Sequence, residues 1–255
     1  MKHGDFDQLA ERYGQYRPGY APQVLDAILG LVGKRPDEIE FVDVGAGTGI
    51  WTRMVRARGC RTTAIEPSGP MRTVGIEQSA GSEIQWIEGS AERTGLPEAS
   101  VDLLSMASSF HWPDYQEATR EFQRILRPCG VFCALWNPRR IETNPLLVEI
   151  EKELNVLVPG LKRVSSGKSE FCDGLHDRLA KTPGFEKVVY IEAEHTEHQS
   201  PARYLGLWES VNDIRVQVGE ETFAFFLDRV RSRIEGIQSI EATYTTRAWI
   251  ARKPS

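Results

Sequence analysis

The stretch Phe41-Val42-Asp43-Val44-Gly45-Ala46-Gly47-Thr48-Gly49 decides the fold of this 255-residue chain. An apolar run ends in three glycines at alternate positions, and a segment of helical character begins near Ile50. A buried strand that passes through a glycine turn into a helix is the first half of a βαβ unit, which binds its ligand at the turn. We therefore expect a parallel sheet with a ligand site here, where glycine lets the backbone approach the ligand closely.

The spacing of the glycines bears on which ligand binds. A dinucleotide fingerprint, GxGxxG, would place its third glycine at position 50, which is Ile50, whereas Gly49 gives the tighter GxGxG turn. This favours a ligand without a pyrophosphate at the helix N-terminus. An NAD-dependent oxidoreductase stays an alternative, because it shares the sheet and the ribose-binding carboxylate.

The next predicted strand ends in Ala64-Ile65-Glu66. A carboxylate at a strand end can accept hydrogen bonds from both hydroxyls of a ribose. The plainer interpretation is a solvated charge at the end of a strand. Together with the glycine turn upstream, Glu66 predicts a nucleoside site.

Short apolar runs alternate with helical patterns between residues 39 and 136, as in a parallel sheet covered on both faces. The predicted strands are 39–44, 62–66, 84–88, 101–107 and 131–136, and the clearest helix is 115–126, stopped by Arg127-Pro128. Farther along, the pattern predicts a helix over 146–158, a strand over 188–194, a helical block over 201–234 and a closing strand over 242–251.

These elements predict an α/β fold with a Rossmann-like, doubly wound sheet of seven mostly parallel strands, an antiparallel C-terminal edge strand and a helical cap. We expect one domain over residues 1–255. Its core would comprise about 35–137, 183–199 and 238–253, and its cap 1–34, 138–182 and 200–237.

Composition narrows the class of protein. A net charge of −5 and the lack of a long basic run argue against a surface that neutralises nucleic-acid phosphates. The chain has no apolar stretch long enough to span a membrane and no apolar leader, so we expect a cytoplasmic protein. Its cysteines lack zinc-site spacing and are expected to be reduced thiols: Cys60, Cys129, Cys133 and Cys172.

Several motifs together resemble those of class I S-adenosylmethionine (SAM)-dependent methyltransferases, specifically the small-molecule group that includes methyltransferase type 11 and trans-aconitate methyltransferase. They are Tyr16-Arg17-Pro18-Gly19-Tyr20, the glycine turn, Ile65-Glu66-Pro67, and residues 88–92, 108–112 and 126–130. The resemblance covers residues 6 to about 136. Ser90 stands where many relatives have Asp, and Cys129 stands where the family usually has glycine.

The resemblance implies SAM as the cofactor and assigns residues to it. The methionine part would lie against Gly45, Ala46 and Gly47, the ribose against Glu66, and the adenine against Pro67, Met71, Ser90 and Ala91. Further cofactor-binding residues would be Glu92, Ala107 and, in an N-terminal lid, Tyr16 and Arg17, with Arg17 able to pair with the cofactor carboxylate. For Tyr13 and Tyr20, packing against the sheet is an equally good interpretation.

Methyl transfer depends on holding the acceptor in line with the methyl group and excluding water, so few catalytic side chains are required. His111, after the fourth strand, is the candidate general base, with a purely structural histidine as the alternative. Trp112, Trp136 and Asn137 are predicted to wall the acceptor pocket, unless they belong to the core. Cap residues that could complete the pocket are Arg139, Arg140, Phe171, Tyr204, Trp208 and Phe226.

We expect no metal, because His195 and His198 lie three apart on a strand and face opposite sides. The predicted function is therefore SAM-dependent methylation of a small molecule, with the acceptor atom left open. A SAM-binding regulator without transferase activity and an RNA or protein methyltransferase are the alternatives. The sequence does not decide between a monomer and a homodimer.

Overall fold

The computed structural model describes residues 9–161 and 170–255. Within them, seven strands form one sheet in the order β3-β2-β1-β4-β5-β7-β6. They are β1 Glu40–Val44, β2 Arg61–Ile65, β3 Gln85–Ile87, β4 Val101–Ala107, β5 Leu126–Trp136, β6 Glu186–Gln199 and β7 Ile240–Arg252. Strands β1 to β5 are parallel, and β7 pairs antiparallel with both β5 and β6. The predicted Rossmann-like sheet with its antiparallel C-terminal edge is confirmed, and β6 holds the outermost position there.

The helices of the described residues are α1 Ala10–Tyr16, α2 Pro22–Val32, α3 Ile50–Arg56, α4 Gly69–Gln78, α5 Tyr115–Ile125, α6 Pro145–Leu157, α7 Glu170–Asp173, α8 Leu175–Ala180, α9 Pro201–Glu209 and α10 Asn212–Arg233. Local chemistry sets their starts. Asp114 caps α5 by accepting hydrogen bonds from two backbone amides of its first turn. The buried faces of α5 and α8 pack on one side of the sheet, and those of α2 and α3 on the other.

Several predicted boundaries were wrong, and β6 continues to Gln199 rather than ending at 194. Strand β5 begins at Leu126 rather than 131, because the chain stays extended after Arg127-Pro128 and pairs again with β4 across an irregularity in register. Cys129, where the family usually has glycine, adopts a left-handed φ of 63°. The single helical block over 201–234 is divided into α9 and α10 by a break at Ser210 and Val211, and α10 is kinked at Gly219.

The cap is positioned by the length of the β6–β7 hairpin. Strand β7 pairs with β5 only from Arg247 onward, so its first half runs past the carboxyl end of β5. On this projecting half pack α6, α9 and α10, with Leu147, Trp208 and Phe226 among their buried residues. The cap therefore lies over the carboxyl ends of the parallel strands.

The strand order places a crevice at the centre of that edge. The chain leaves β1 toward β2 on one side and returns to β4 on the other, so the connections diverge at the carboxyl ends of β1 and β4. In open α/β sheets ligands bind at this point. Within the described residues, no helix combines the length and apolar character needed to cross a bilayer.

Candidate functional site

A cavity of about 480 Å³ lies between the carboxyl ends of the parallel strands and the cap. The turns after β1 through β5 form its floor, with the start of α3 beside them. Its other walls come from α1, the end of α9 and β7. Fifteen residues were assigned from the sequence to the cofactor or the acceptor pocket, and all of them except Tyr16 line this cavity. The fourteen are Arg17, Gly45, Ala46, Gly47, Glu66, Pro67, Met71, Ser90, Ala91, Glu92, Ala107, Trp112, Trp136 and Asn137.

The glycine turn brings backbone to the cavity wall. Gly45 and Gly47 have φ values of 66° and 58°, a region that favours glycine. A Cβ on Gly45 would lie 2.8 Å from Oγ of Ser109, so a side chain is excluded at this position. The turn is fixed to the next strand, because the amides of Gly45 and Ala46 both donate to the carbonyl of Ile65.

Glu66 crosslinks the two loops that the sequence placed around a nucleoside. Its carboxylate accepts hydrogen bonds from the backbone amide of Gly47 at 2.7 Å and from that of Ser68 at 2.9 Å. The residue is only 7% exposed, and it lines the cavity. The carboxylate is thus held in a fixed position at the cavity wall.

A buried network supports the turn from behind and was not assigned a role from the sequence. The carboxyl group of Asp43 accepts from Thr52 at 2.6 Å and from Ser105 at 2.9 Å. Ser105 in turn accepts from the indole of Trp51 at 3.0 Å. Burial raises the pKa of Asp43 to about 7. These contacts tie β1, α3 and β4 together beneath the cavity.

At the predicted adenine end, the loops after β2 and β3 face each other across the cavity. Ser68 caps α4 by accepting from the amide of Met71, which fixes the Met71 side chain near the turn. A Cβ on Gly47 would lie 3.4 Å from the terminal methyl of Met71. Glu92 accepts a hydrogen bond from the amide of Asp114, so this loop is attached to the start of α5.

The N-terminal segment closes one side of the cavity. Arg17 lines it, donates to the carbonyl of Ser210 at 3.2 Å and lies over the ring of Tyr13 at 4.9 Å. Tyr16 does not line the cavity. Its ring packs against α9 at Gly206, where an added Cβ would approach it to 2.5 Å. Tyr16 therefore joins the lid to the cap.

The acceptor end is aromatic. Trp136 is 1% exposed and Trp112 is 41% exposed, and both line the cavity. The amide group of Asn137 also lines it but is engaged within the protein: its nitrogen donates to the carbonyl of Gly19 at 2.7 Å, and its oxygen accepts from Thr246 at 2.8 Å. Asn137 thus connects the N-terminal segment to β7 through two hydrogen bonds.

Of the six cap residues considered from the sequence, Arg139 and Trp208 line the cavity. The others, Arg140, Phe171, Tyr204 and Phe226, do not. Tyr20 and Ser108, which the sequence did not assign to the site, join the wall through a hydrogen bond of 3.0 Å between their hydroxyl groups. Ser108 has a left-handed φ of 57° directly after β4, a strained conformation of the kind that marks functional turns.

Residues 42–134 match the family model for a methyltransferase domain. This segment therefore has the sequence features of a methyltransferase domain. The domain is similar to an uncharacterised methyltransferase of Mycobacterium tuberculosis, with 32% identity over 134 residues, 52% of each chain. It is also similar to malonyl-acyl-carrier-protein O-methyltransferase of Serratia marcescens, with 33% identity over 121 residues, 46% of each chain. The chain spans about half the length of these curated relatives.

The fold is shared over a longer stretch. The solved structure of a candidate type II methyltransferase from Anaeromyxobacter dehalogenans matches 94% of this chain and 100% of its own, with a TM-score of 0.70 and 21% identity. The methyltransferase fold therefore includes β6, β7 and the cap, which lie outside residues 42–134.

Within the methyltransferase domain, His111 does not line the cavity. Both of its ring nitrogens are buried, and neither has a hydrogen-bond partner in the described parts of the chain. Burial lowers the pKa of His111 to about 4, so the ring is neutral at pH 7. It packs against Trp112 with the rings tilted by 43° and their centroids 4.3 Å apart. The geometry thus separates His111 from the groups that face the ligands.

Residues 9–161 and 170–255 contain no cluster of three His, Cys, Asp or Glu side chains arranged to hold a metal ion. His195 is half-buried and His198 is exposed, as expected for positions on opposite faces of β6. All four cysteines are free thiols, and Cys129 is the exposed one.

Proposed function

We propose that this protein is a SAM-dependent methyltransferase that transfers the methyl group to a small-molecule acceptor. The observation that carries the proposal is the continuity of the cavity, which runs from the glycine turn and Glu66 to the aromatic residues of the cap. Its volume of about 480 Å³ is within the range of small-molecule sites. One continuous space is therefore bordered by groups suited to both the cofactor and the acceptor.

The cofactor end fits SAM on four grounds. Gly45 and Gly47 have no side chains, so the methionine part can lie close against the backbone of the turn. Glu66 is fixed by two amides, and a carboxylate has about four acceptor sites, which allows it to bind ribose hydroxyls as well. Arg17 would pair with the cofactor carboxylate. The adenine would lie between Pro67 and Met71 on one side and the loop of Ser90, Ala91 and Glu92 on the other, and Ala107 would also contact the cofactor.

When bound, SAM supplies a methyl group already activated by a positively charged sulfur. The task of the chain is then to orient the acceptor and exclude water, effects that are worth roughly 7–11 kcal/mol in well-aligned reactions. Trp136, Trp208 and Tyr244 provide apolar faces for the acceptor. The cap closes over this end, which removes water from the reacting groups.

The cap also supports an acceptor of limited size. It covers the cavity with α9 and β7, and a polymer would need an open groove across this surface. The Serratia marcescens relative carries in its name an acceptor attached to an acyl-carrier protein. Whether the acceptor is a free small molecule or is attached to a carrier, we place the group that receives the methyl inside the cavity.

The direct test is calorimetric titration of the purified protein with SAM, S-adenosylhomocysteine (SAH) and NAD, followed by incubation with methyl-labelled SAM and a metabolite extract. We expect SAM and SAH to bind, NAD not to bind, and label to appear in a low-molecular-mass product. Tight NAD binding without SAM binding would contradict the proposal at its first step. SAM binding with no transfer to any acceptor would instead favour a regulator.

A further inference from the structure

The charged side chains of the cavity are unevenly placed. Among the described lining residues, Glu66 and Glu92 follow β2 and β3, at the end assigned to the nucleoside. Arg17 lies where α1 meets the end of α9. Arg139 follows β5 and also lines the wall, beside Trp208 of α9. The acceptor end is thus aromatic, with Arg139 on its β5 side and Arg17 at its border with α1.

Arg139 is held rigidly and is mostly buried. Its side chain is 11% exposed, and its guanidinium lies 5.0 Å from the ring of Trp208 and 5.4 Å from that of Tyr204. Nη2 pairs with Oε1 of Glu151 at 3.3 Å. Nη1 is buried and has no hydrogen-bond partner of normal geometry in residues 9–161 or 170–255. Within the described residues, the guanidinium is therefore paired through Nη2 and unpaired at Nη1.

A guanidinium in this state is poised to bind an anion. A buried donor left unpaired is energetically unfavourable, and more so on a charged group, so a ligand that supplies an acceptor there gains affinity. The fixed fork of Arg matches the two oxygens of a carboxylate or a phosphate. The distance of 3.3 Å from Nη2 of Arg139 to Oε1 of Glu151 is longer than that of a usual charge-assisted hydrogen bond. Glu151 therefore neutralises Arg139 only in part, and the guanidinium can still attract a second anion.

We propose that Arg139 binds an oxyanion, a carboxylate or a phosphate, carried by the methyl acceptor. Trp208 and Trp136 then pack on the apolar part of the same molecule. This inference rests on the proposed function and narrows it to acceptors that are anionic at neutral pH. The proposed function assigns the carboxylate of the cofactor to Arg17, so each of the two anions has its own guanidinium.

The test uses the protein saturated with SAH and three probes of similar shape: benzoate, phenyl phosphate and benzamide. Binding of each is measured by calorimetry. We expect saturable binding of benzoate or phenyl phosphate, and at least roughly tenfold weaker binding of benzamide, since one charge-assisted hydrogen bond corresponds to about that factor. Preference between the two anions identifies the source of the oxyanion. Equal binding of all three, or of none, overturns the proposal.

Variants connect the effect to the residue. Arg139→Met should lose the preference for the anion and keep the wild-type affinity for SAH. Arg140→Met is the matched control, because Arg140 is next in sequence, does not line the cavity and pairs with Glu142 and Glu194. Unchanged anion binding in Arg139→Met would overturn the proposal. So would loss of SAH affinity, because Arg139 would then serve the cofactor.

Glu151→Gln gives a readout that a purely structural ion pair would not produce. Removal of this negative charge should strengthen binding of the anionic probes, because Arg139 is then no longer partly neutralised. If Arg139→Met does not fold, Glu151→Gln still tests whether Arg139 binds the anionic probes. Weaker or unchanged anion binding in Glu151→Gln overturns the inference. SAH binding by the wild-type protein is measured before any probe is added. If SAH does not bind at all, the proposed function itself fails, independently of the proposal for Arg139.

Discussion

Replacing Glu66 with Gln tests the part of the site on which cofactor binding depends. The carboxylate accepts from two backbone amides, at 2.7 and 2.9 Å, while fixed beside the cavity. A Gln side chain has one acceptor oxygen and an NH₂ group, so it can satisfy one of these amides and repels the other. A ribose hydroxyl also loses its charged acceptor. A hydrogen bond to a charged group is worth about 1.5–3 kcal/mol, so SAH should bind roughly ten- to hundredfold more weakly.

The same substitution should lower the free energy of unfolding by about 1–3 kcal/mol, the cost of one amide left without a partner. Because Glu66 borders a cavity, water can reach that amide and reduce the loss. Affinity is therefore measured by calorimetry well below the midpoint of thermal unfolding, which circular dichroism gives for each variant.

Glu83→Gln is the matched control, because Glu83 precedes β3, does not line the cavity, is 83% exposed at its side chain and pairs with Arg56. It should bind SAH like the wild type. Wild-type SAH affinity in Glu66→Gln would refute the role of this carboxylate. An equal loss in Glu83→Gln would show that the effect comes from overall charge rather than from contact with the ribose.

Gly45→Ala should destabilise the fold and weaken SAH binding at least roughly tenfold in calorimetry, because its φ is positive and its Cβ would meet Ser109. Gly30→Ala, where a Cβ meets nothing within 4 Å, should not destabilise it in urea unfolding. Cys129→Gly should raise the free energy of unfolding by about 1 kcal/mol by relieving its left-handed backbone; an equal or lower value in urea would contradict this. For His111→Phe, we expect turnover at pH 7 to persist, because the ring does not line the cavity. Since burial lowers the pKa of His111 from 6.5 to about 4, wild-type stability should fall as pH decreases across that interval, and unfolding midpoints of His111→Phe should fall less.

The sequence predicted those features that depend on neighbouring residues. The glycine turn, the carboxylate of Glu66 and the start of α3 follow from local patterns of apolar residues and glycines, and the structure has them at the expected positions. Strand β4 was predicted with its observed bounds, because its residues are buried nearly throughout and leave no polar alternation to interpret.

Features that depend on distant contacts were not predictable in this way. Arg139 and Arg140 are adjacent and chemically alike, yet only Arg139 reaches the cavity, because the chain pairs there with β7 near Tyr244. His111 follows β4 as expected of a catalytic residue, but its ring turns toward the aromatic core beside Trp136. The direction of a side chain after a strand end is set by packing, which the sequence alone does not reveal.

The hydrogen bonds of Asn137 restrict how ligands reach the cavity. Asn137 holds Gly19, and the Thr246 hydroxyl to which it is bonded also accepts from the amide of Ala21. The chain is therefore anchored to the sheet just before α2, whereas α1 packs on α4 and α9 rather than on the sheet. We expect α1 to move aside when ligands enter or leave. We expect the exchange of cofactor for product to proceed at the rate of that motion. Faster hydrogen exchange in α1 than in α2 would record it, and equal protection of the two helices would speak against it.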